Sequence, residues 1–428
     1  MLRFVSVSIA VIITSFFFFP FEFTFLPGIN TKMAMAAVGL LVLGVNMSKK
    51  RDSLIDKNFF VLSLLACGIS LISYVSVAIN GTSDFSYVTY IISMWVWTSA
   101  AYVVVSLLEL IHGKVSVRLI CNYLILTCVV QCILALLIDN IDFLNVWVKR
   151  YFGSFSGMVS GSAAMLEARG RLYGIGAALD IAGTRFASIL VMITFWGLNS
   201  ENRKMQYLYV LAFFIVVLIG NMISRTTIIG VLLAFIYIIY KSFKGTDTQH
   251  HNLNSLLKIG ALFLFLGLPV IVYLYKSNVS FYENIRFAFE GFFSLYETGS
   301  WETNSTNILE NMYVFPDNWR TWLIGDGYFD NPTGDPYYVG YMWKGFYYGT
   351  DVGYLRFIFY VGVLGLISMA SFMIATAIVC MRKFAQYRDL FMMLIVLNFI
   401  IWLKVSTDIF LVFTPFLCLN SIYKKEFE

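Results

Sequence analysis

Residues 204–244 read KMQYLYVLAFFIVVLIGNMISRTTIIGVLLAFIYIIYKSFK. Two apolar runs, 206–223 and 226–243, flank the tripeptide Ser224-Arg225-Thr226. Each has close to the ~20 residues needed to cross a hydrocarbon core. Lys204 closes one end, and Lys241 with Lys244 closes the other. The stretch reads as two helices through a membrane with an arginine at their turn. A guanidinium at that depth is costly unless it meets an anion or a carboxylate.

The whole chain has the same character. Hydrophobic residues make up 59% of it and charged residues 13%, and the mean hydropathy is +0.77. A soluble domain carries roughly twice that charge fraction. The composition predicts an all-α polytopic membrane protein, 1–428 forming a single transmembrane domain. Twelve spans are expected, at 4–20, 29–47, 59–79, 87–111, 119–138, 175–197, 206–223, 226–243, 258–275, 351–380, 390–404 and 407–423. The last two are short and split by Lys404-Val405-Ser406-Thr407-Asp408. The first run, after Arg3, has no small-residue cleavage site close behind it and is read as a retained span.

Basic connections orient the spans. Lys49-Lys50-Arg51, Lys114 with Arg118, Arg203-Lys204, Lys241 with Lys244, Arg382-Lys383 with Arg388, and Lys424-Lys425 all fall on one side of the count. The positive-inside rule makes that side cytoplasmic and puts both termini there. The net charge of +5 is therefore topological, and no nucleic-acid partner is expected. The six cysteines lie in apolar stretches without a CxxC pair, so neither a disulfide framework nor a metal site is expected. Cys128 and Cys132, one helical turn apart, read as packing.

Two outer segments stand apart. Segment 139–174 holds the aromatic-basic stretch Phe143 to Phe152, a Gly/Ser-rich run, and Glu167-Ala168-Arg169-Gly170-Arg171. Segment 276–350 is far longer than an ordinary connection and carries Trp301, Trp319, Trp322 and Trp343 among many tyrosines. It is too aromatic to be disordered, and short helices on the outer surface are expected. Its aromatic rings suit either stacking on sugar faces or anchoring at the headgroup level.

The candidate site residues gather on this outer side. Arg225 is expected at a helix N-terminus with Ser224 as N-cap, an arrangement that favours anions. Arg171, in Arg171-Leu172-Tyr173-Gly174, lies at the same depth, with Arg169 two residues before it. Arg356 follows Asp351-Val352-Gly353-Tyr354-Leu355 and can snorkel outward. Planar, permanently charged guanidiniums suit a pyrophosphate. Asp180 and Arg185 lie deeper, and Asp180 is free to neutralise Arg185 or an arginine of another helix. The three histidines, His112, His250 and His251, fall in cytoplasmic connections. An outer general base must then be a carboxylate or come from the substrate. Asp351 is the first candidate and Asp326, in Gly325-Asp326-Gly327, the second.

Taken together, Arg171-Leu172-Tyr173-Gly174, Ser224-Arg225-Thr226, Gly325-Asp326-Gly327-Tyr328, and Asp351-Val352-Gly353-Tyr354-Leu355 leading into Tyr360-Val361-Gly362-Val363-Leu364-Gly365-Leu366 resemble the bacterial O-antigen polymerases (Wzy) of the polymerase and ligase superfamily. The resemblance rests on the order and spacing of short motifs. It implies a metal-independent, cofactor-free glycosyltransferase of the GT-C type in the bacterial inner membrane, with its active site on the periplasmic face. Such an enzyme moves a growing glycan from undecaprenyl pyrophosphate to the non-reducing end of an incoming lipid-linked repeat unit. The implied partners are that lipid-linked oligosaccharide, membrane lipid, a chain-length regulator and a flippase.

By this resemblance Arg171 and Arg225 bind the departing pyrophosphate and Asp351 acts in catalysis. Arg169, Asp180, Arg286, Arg320, Asp326, Tyr354 and Arg356 serve in substrate binding. Two features depart from the family. The ligases carry a histidine in the last large outer loop, near the place of Asp351 here, which favours polymerase over ligase. Many relatives also carry an arginine in mid-loop where this chain reads Asn304-Ser305-Thr306-Asn307, and Arg286 or Arg320 is the candidate substitute. The alternatives are an O-antigen ligase, a capsular polysaccharide polymerase and, from another class, a lipid-linked oligosaccharide flippase. The long outer segment breaks the two-fold symmetry usual in transporters.

Overall fold

The computed structural model describes residues 2–49, 54–155, 171–332 and 345–419. Arg169 lies outside the described residues. Among them, nine helices are long and apolar enough to cross a membrane by length and composition. They are α2 (Thr31–Ser48), α3 (Lys57–Asn80), α4 (Tyr90–His112), α5 (Val117–Asn140), α7 (Leu179–Leu198), α8 (Arg203–Ile223), α9 (Thr227–Lys244), α10 (Asp247–Ser277) and α15 (Gly353–Lys383). The protein is all-α and membrane-embedded in character. The other three expected spans are also helical but shorter: α1 (Leu2–Phe18), α16 (Arg388–Ile401) and α17 (Phe410–Leu417). At ~1.5 Å per residue, neither α16 nor α17 alone reaches across a ~30 Å core.

The capping is legible in the sequence. Asp56 accepts from Phe59 N at 2.8 Å to open α3, and Gly81, at φ 65, closes it. Ser116 caps α5, and Thr246 with Gln249 forms a capping box at the start of α10. These side chains satisfy amide groups that a helix start leaves without partners.

The chain divides into two compact units, Met1–Val38 with Ala100–Trp301, and Gly39–Ser99 with Glu302–Glu428. In the first, α7 is the innermost helix, buried along 94% of its apolar window. Small residues allow α9 to approach it: a Cβ added at Gly230 would lie 2.4 Å from Ala187 Cα. Such close crossings are the usual way helices associate in lipid. A short antiparallel ribbon, β1 (Phe21–Phe23) with β2 (Phe152–Phe155), follows α1 and the helix α6 (Asp142–Tyr151). It helps to enclose Ile138, Val148, Tyr173 and Ala178. By contrast α10 buries only 6% of its window within the protein, as a helix facing hydrocarbon does.

The described residues of segment 276–350 include short helices. α11 (Val279–Ala288) and α12 (Glu290–Thr298) belong to the first unit. α13 (Asn304–Asn311) and α14 (Trp319–Ile324) belong to the second.

In the second unit α15 packs along α3 and is broken at Gly362, whose φ of 67 and ψ of −174 only glycine adopts readily. The break frees the carbonyls of Phe359 and Tyr360. Asp326 N donates to Phe359 O at 2.6 Å, and Gly327 N donates to Tyr360 O at 3.2 Å. Ser76 Oγ adds a second bond to Tyr360 O at 2.7 Å. The Gly325-Asp326-Gly327 turn can come this close because neither side carries a Cβ. One at Gly325 would sit 2.5 Å from Tyr360 O, and one at Gly362 2.2 Å from Leu323 O. Two motifs far apart in sequence thus form a single backbone junction.

Gly362→Ala should destabilise the solubilised protein by on the order of 1–3 kcal/mol from its backbone conformation alone, seen as a lowered thermal midpoint. Gly44→Ala, in α2 with open space around it, should leave the midpoint unchanged or raise it. Equal midpoints for the two variants would refute the junction's role.

Candidate functional site

Each unit carries a guanidinium centre. In the first, Arg225 occupies the connection between α8 and α9. Ser224 is the C-cap of α8 rather than an N-cap of α9, which starts without a side-chain cap. The reason is Asp180 on α7. Its carboxylate, a stronger acceptor than a hydroxyl, takes Thr226 Oγ1 at 2.5 Å and Ser224 Oγ at 3.4 Å. Gly183, one turn along α7, makes room: a Cβ there would meet Ser224 Oγ at 2.5 Å. Leu179, just before Asp180, holds φ 53, a left-handed conformation that costs a leucine about 1–2 kcal/mol.

Arg171 and Arg225 meet at Phe287. Their Cζ atoms lie 4.2 Å and 4.3 Å from the centroid of that one ring, which ends α11. Glu290, in the first turn of α12, forms an ion pair with Arg225. Burial and then the neighbouring Arg171 pull the Arg225 guanidinium down to about 10, and Asp180 opposes them. It stays charged at neutral pH.

The segment bearing Arg171 is fixed from below. Gly174 N donates to Ala177 O at 2.8 Å, and Gln131 Nε2 donates to Ile175 O at 2.8 Å and to Ser15 Oγ at 2.8 Å. Gly176, at φ 76, fits against Phe19 O, where a Cβ would lie 2.2 Å away.

Arg185 has a different environment from Arg171, Arg225 and Arg356. It is 3% exposed, with Cζ 5.4 Å from the Phe19 ring and 5.9 Å from Phe18. Its Nε and Nη1 have no hydrogen-bond partner among the described residues. Of the two partners open to Asp180, the structure thus places the carboxylate beside the Arg225 turn and not on Arg185.

In the second unit Arg356, 6% exposed, lies between the rings of Phe329 at 3.6 Å and Phe346 at 4.4 Å. Nη2 donates to Asp330 Oδ1 at 2.6 Å and to Phe329 O at 3.2 Å. Nη1 donates to Ser406 Oγ at 2.8 Å and to Asp351 Oδ1 at 3.4 Å. Asp351 and Arg356, both picked from sequence, are therefore partners. Tyr354 Oη donates to Phe399 O at 3.0 Å, and Tyr354 N to Trp402 O at 3.2 Å, which ties the start of α15 to the end of α16.

The remaining candidates serve locally. Asp326 accepts from Thr321 Oγ1 at 2.5 Å and Tyr347 Oη at 3.3 Å, and burial raises its pKa. Arg320 Nη2 donates to Asn80 Oδ1 at 2.9 Å near the end of α3. Arg286 holds Glu297 through two bonds of 2.6 Å and 2.8 Å on the surface of the first unit. That pair lowers the Glu297 pKa. Among the described residues no group of three or more His, Cys, Asp or Glu side chains is placed to hold a metal ion.

Sequence reading missed Glu290, Phe287, Asp330, Phe329 and Ser406. Phe287 and Glu290 carried a faint signal, since they sit three residues apart beside a helix junction in an aromatic loop. Glu290→Gln should leave Arg225 less neutralised and raise the affinity of purified protein for inorganic pyrophosphate several-fold, measured by calorimetry. An unchanged or weaker affinity would show that Glu290 does not compete for the guanidinium.

No protein-family model, no curated protein and no solved structure matches this chain.

Proposed function

We propose that the protein is a polymerase of lipid-linked repeat units. It is a twelve-span, GT-C type glycosyltransferase of the bacterial inner membrane, with both termini cytoplasmic. It transfers a growing glycan from undecaprenyl pyrophosphate to the non-reducing end of an incoming lipid-linked repeat unit at the periplasmic face. The observation that carries this reading is the pair of guanidiniums, Arg171 and Arg225, brought against the single ring of Phe287.

Arg225 is paired with Glu290 in this arrangement, and a dianionic group that displaces that carboxylate can be held by both guanidinium forks. A pyrophosphate gains negative charge as its bond to the anomeric carbon breaks. Fixed donors aimed at that developing charge stabilise the transition state more than the ground state. The strained Leu179 and the locked Gly174–Ala177 turn support the reading, since both hold this face in one geometry. Asp351 is the carboxylate assigned to receive the acceptor's proton, and Arg356 its companion.

Arg225→Ala should reduce polymerisation of purified lipid-linked repeat units by on the order of 100-fold or more, as for loss of a fixed oxyanion donor. Cells carrying it should display single repeat units without a ladder on a glycan gel. A full ladder at normal protein level would rule out the anion site, and absence of any displayed unit would point to a flippase or ligase. Asp351→Asn should reduce turnover by roughly 100-fold or more if the carboxylate moves a proton, with the lipid-linked substrate still bound. Undiminished turnover would remove Asp351 from the mechanism.

A further inference from the structure

Five carboxylates surround the α15 junction in the second unit, and their hydrogen bonds separate them. Asp84 uses both oxygens: Oδ1 takes Ser86 N at 3.0 Å and Ser86 Oγ at 2.5 Å, and Oδ2 takes Phe329 N at 2.7 Å and Asp330 N at 3.2 Å. Asp408 accepts from Phe410 N at 2.9 Å and Tyr90 Oη at 3.4 Å, which closes the start of α17. Asp326 is engaged through both oxygens by Thr321 and Tyr347. Asp351 is bonded to Arg356 and its side chain is only 19% exposed.

Asp330 differs from the other four. Its Oδ1 is held by Arg356 Nη2, its Oδ2 accepts no hydrogen bond among the described residues, and its side chain is 64% exposed. Asp84 fixes its backbone from behind. The guanidinium that orients it is buried against the rings of Phe329 and Phe346, and among the described residues its Nε has no acceptor. Close by in sequence, Tyr348 is held at φ 52 with its ring stacked on Phe359 at 4.7 Å and 9°, and it remains 54% exposed. Asp330 pairs with Phe346 in an antiparallel bridge, two residues before Tyr348. A fixed carboxylate with a free oxygen, on a segment paired with one that carries aromatic rings, is the chemistry that receives a sugar: the oxygen accepts a hydroxyl, and a ring covers the apolar C–H face.

We propose that the second unit carries a carbohydrate-binding site in which Asp330 Oδ2 accepts a hydrogen bond from a glycan hydroxyl and Arg356 positions Asp330. The site deepens the polymerase reading and rests on it for the identity of the glycan. Burial raises the Asp330 pKa, Arg356 lowers it and Asp84 raises it again. The acceptor is present above that pKa and is lost as pH falls through it. Because the net shift is upward, the loss begins at a higher pH than for an ordinary aspartate. Removing the guanidinium moves it higher still.

The test uses full-length protein in lipid nanodiscs. The probes are oligosaccharide released by mild acid from the source strain's own surface polysaccharide, and inorganic pyrophosphate. Asp330→Asn should weaken oligosaccharide binding at least tenfold and abolish its pH dependence, with pyrophosphate affinity unchanged. Arg356→Gln should shift the pH midpoint upward, and Arg356→Lys should restore part of that shift, which a role in folding alone would not do. Asp330→Glu and the wild-type pH profile carry the test if Asp330→Asn misfolds.

Wild-type affinity in Asp330→Asn, a flat wild-type pH profile, or no oligosaccharide binding by wild-type protein each overturns the site. If pyrophosphate still binds in those cases, the polymerase reading survives. Loss of pyrophosphate binding with oligosaccharide binding intact overturns the phosphate assignment and leaves the carbohydrate site standing.

Discussion

A polar group in hydrocarbon has no water to turn to, so each one must find its partner inside the protein. The break at Gly362 shows how far that constraint reaches. Unwinding one residue of α15 releases the carbonyls of Phe359 and Tyr360, and three separate groups arrive to satisfy them: Asp326 N, Gly327 N and Ser76 Oγ. The Gly325-Asp326-Gly327 turn, the first turns of α15 and the C-terminal end of α3 are thereby held in one arrangement. Arg356, Asp330 and Asp351 inherit their positions from it.

The guanidiniums obey the same constraint in different ways. Arg225 has Glu290 and a ring face, and Asp180 holds the hydroxyls on either side of it. Arg356 spends Nη1 and Nη2 on four acceptors and lies against two phenylalanine rings. Arg185 lies against the rings of Phe18 and Phe19, and among the described residues its Nε and Nη1 have no acceptor. Arg225 and Arg356 thus draw polar partners from elsewhere in their own units, while Arg185 lies against aromatic rings. Buried ion pairs add little to stability on average.

Much of the candidate site was legible as residues but not as contacts. Arg225 and Arg171 are marked by their cost at the membrane surface, Asp351 by its place at the junction of a loop and a span, and Arg356 by its place one to two turns inside that span. Ser224 was assigned to the wrong helix end, because a serine ahead of an apolar run reads as an N-cap until a carboxylate from another helix claims its hydroxyl. Glu290 and Asp330 passed unnoticed among the other acidic residues of segment 276–350. Nothing local separates an aspartate that faces a guanidinium from one that faces water.

The sequence by itself determined where the helices run, since hydrophobic length and capping are properties of contiguous residues, and it marked the charges that such a chain cannot leave without function. Only the tertiary structure decided which charge meets which. Glu290 is 65 residues from Arg225, and Asp330 is 26 from Arg356. Those pairings depend on how the short helices of the long segment fold back, on glycines at 325 and 362 that let backbones approach within contact, and on Gly183, which makes room for the Ser224 side chain. Such closeness is set by packing in three dimensions, and no periodicity along the chain encodes it.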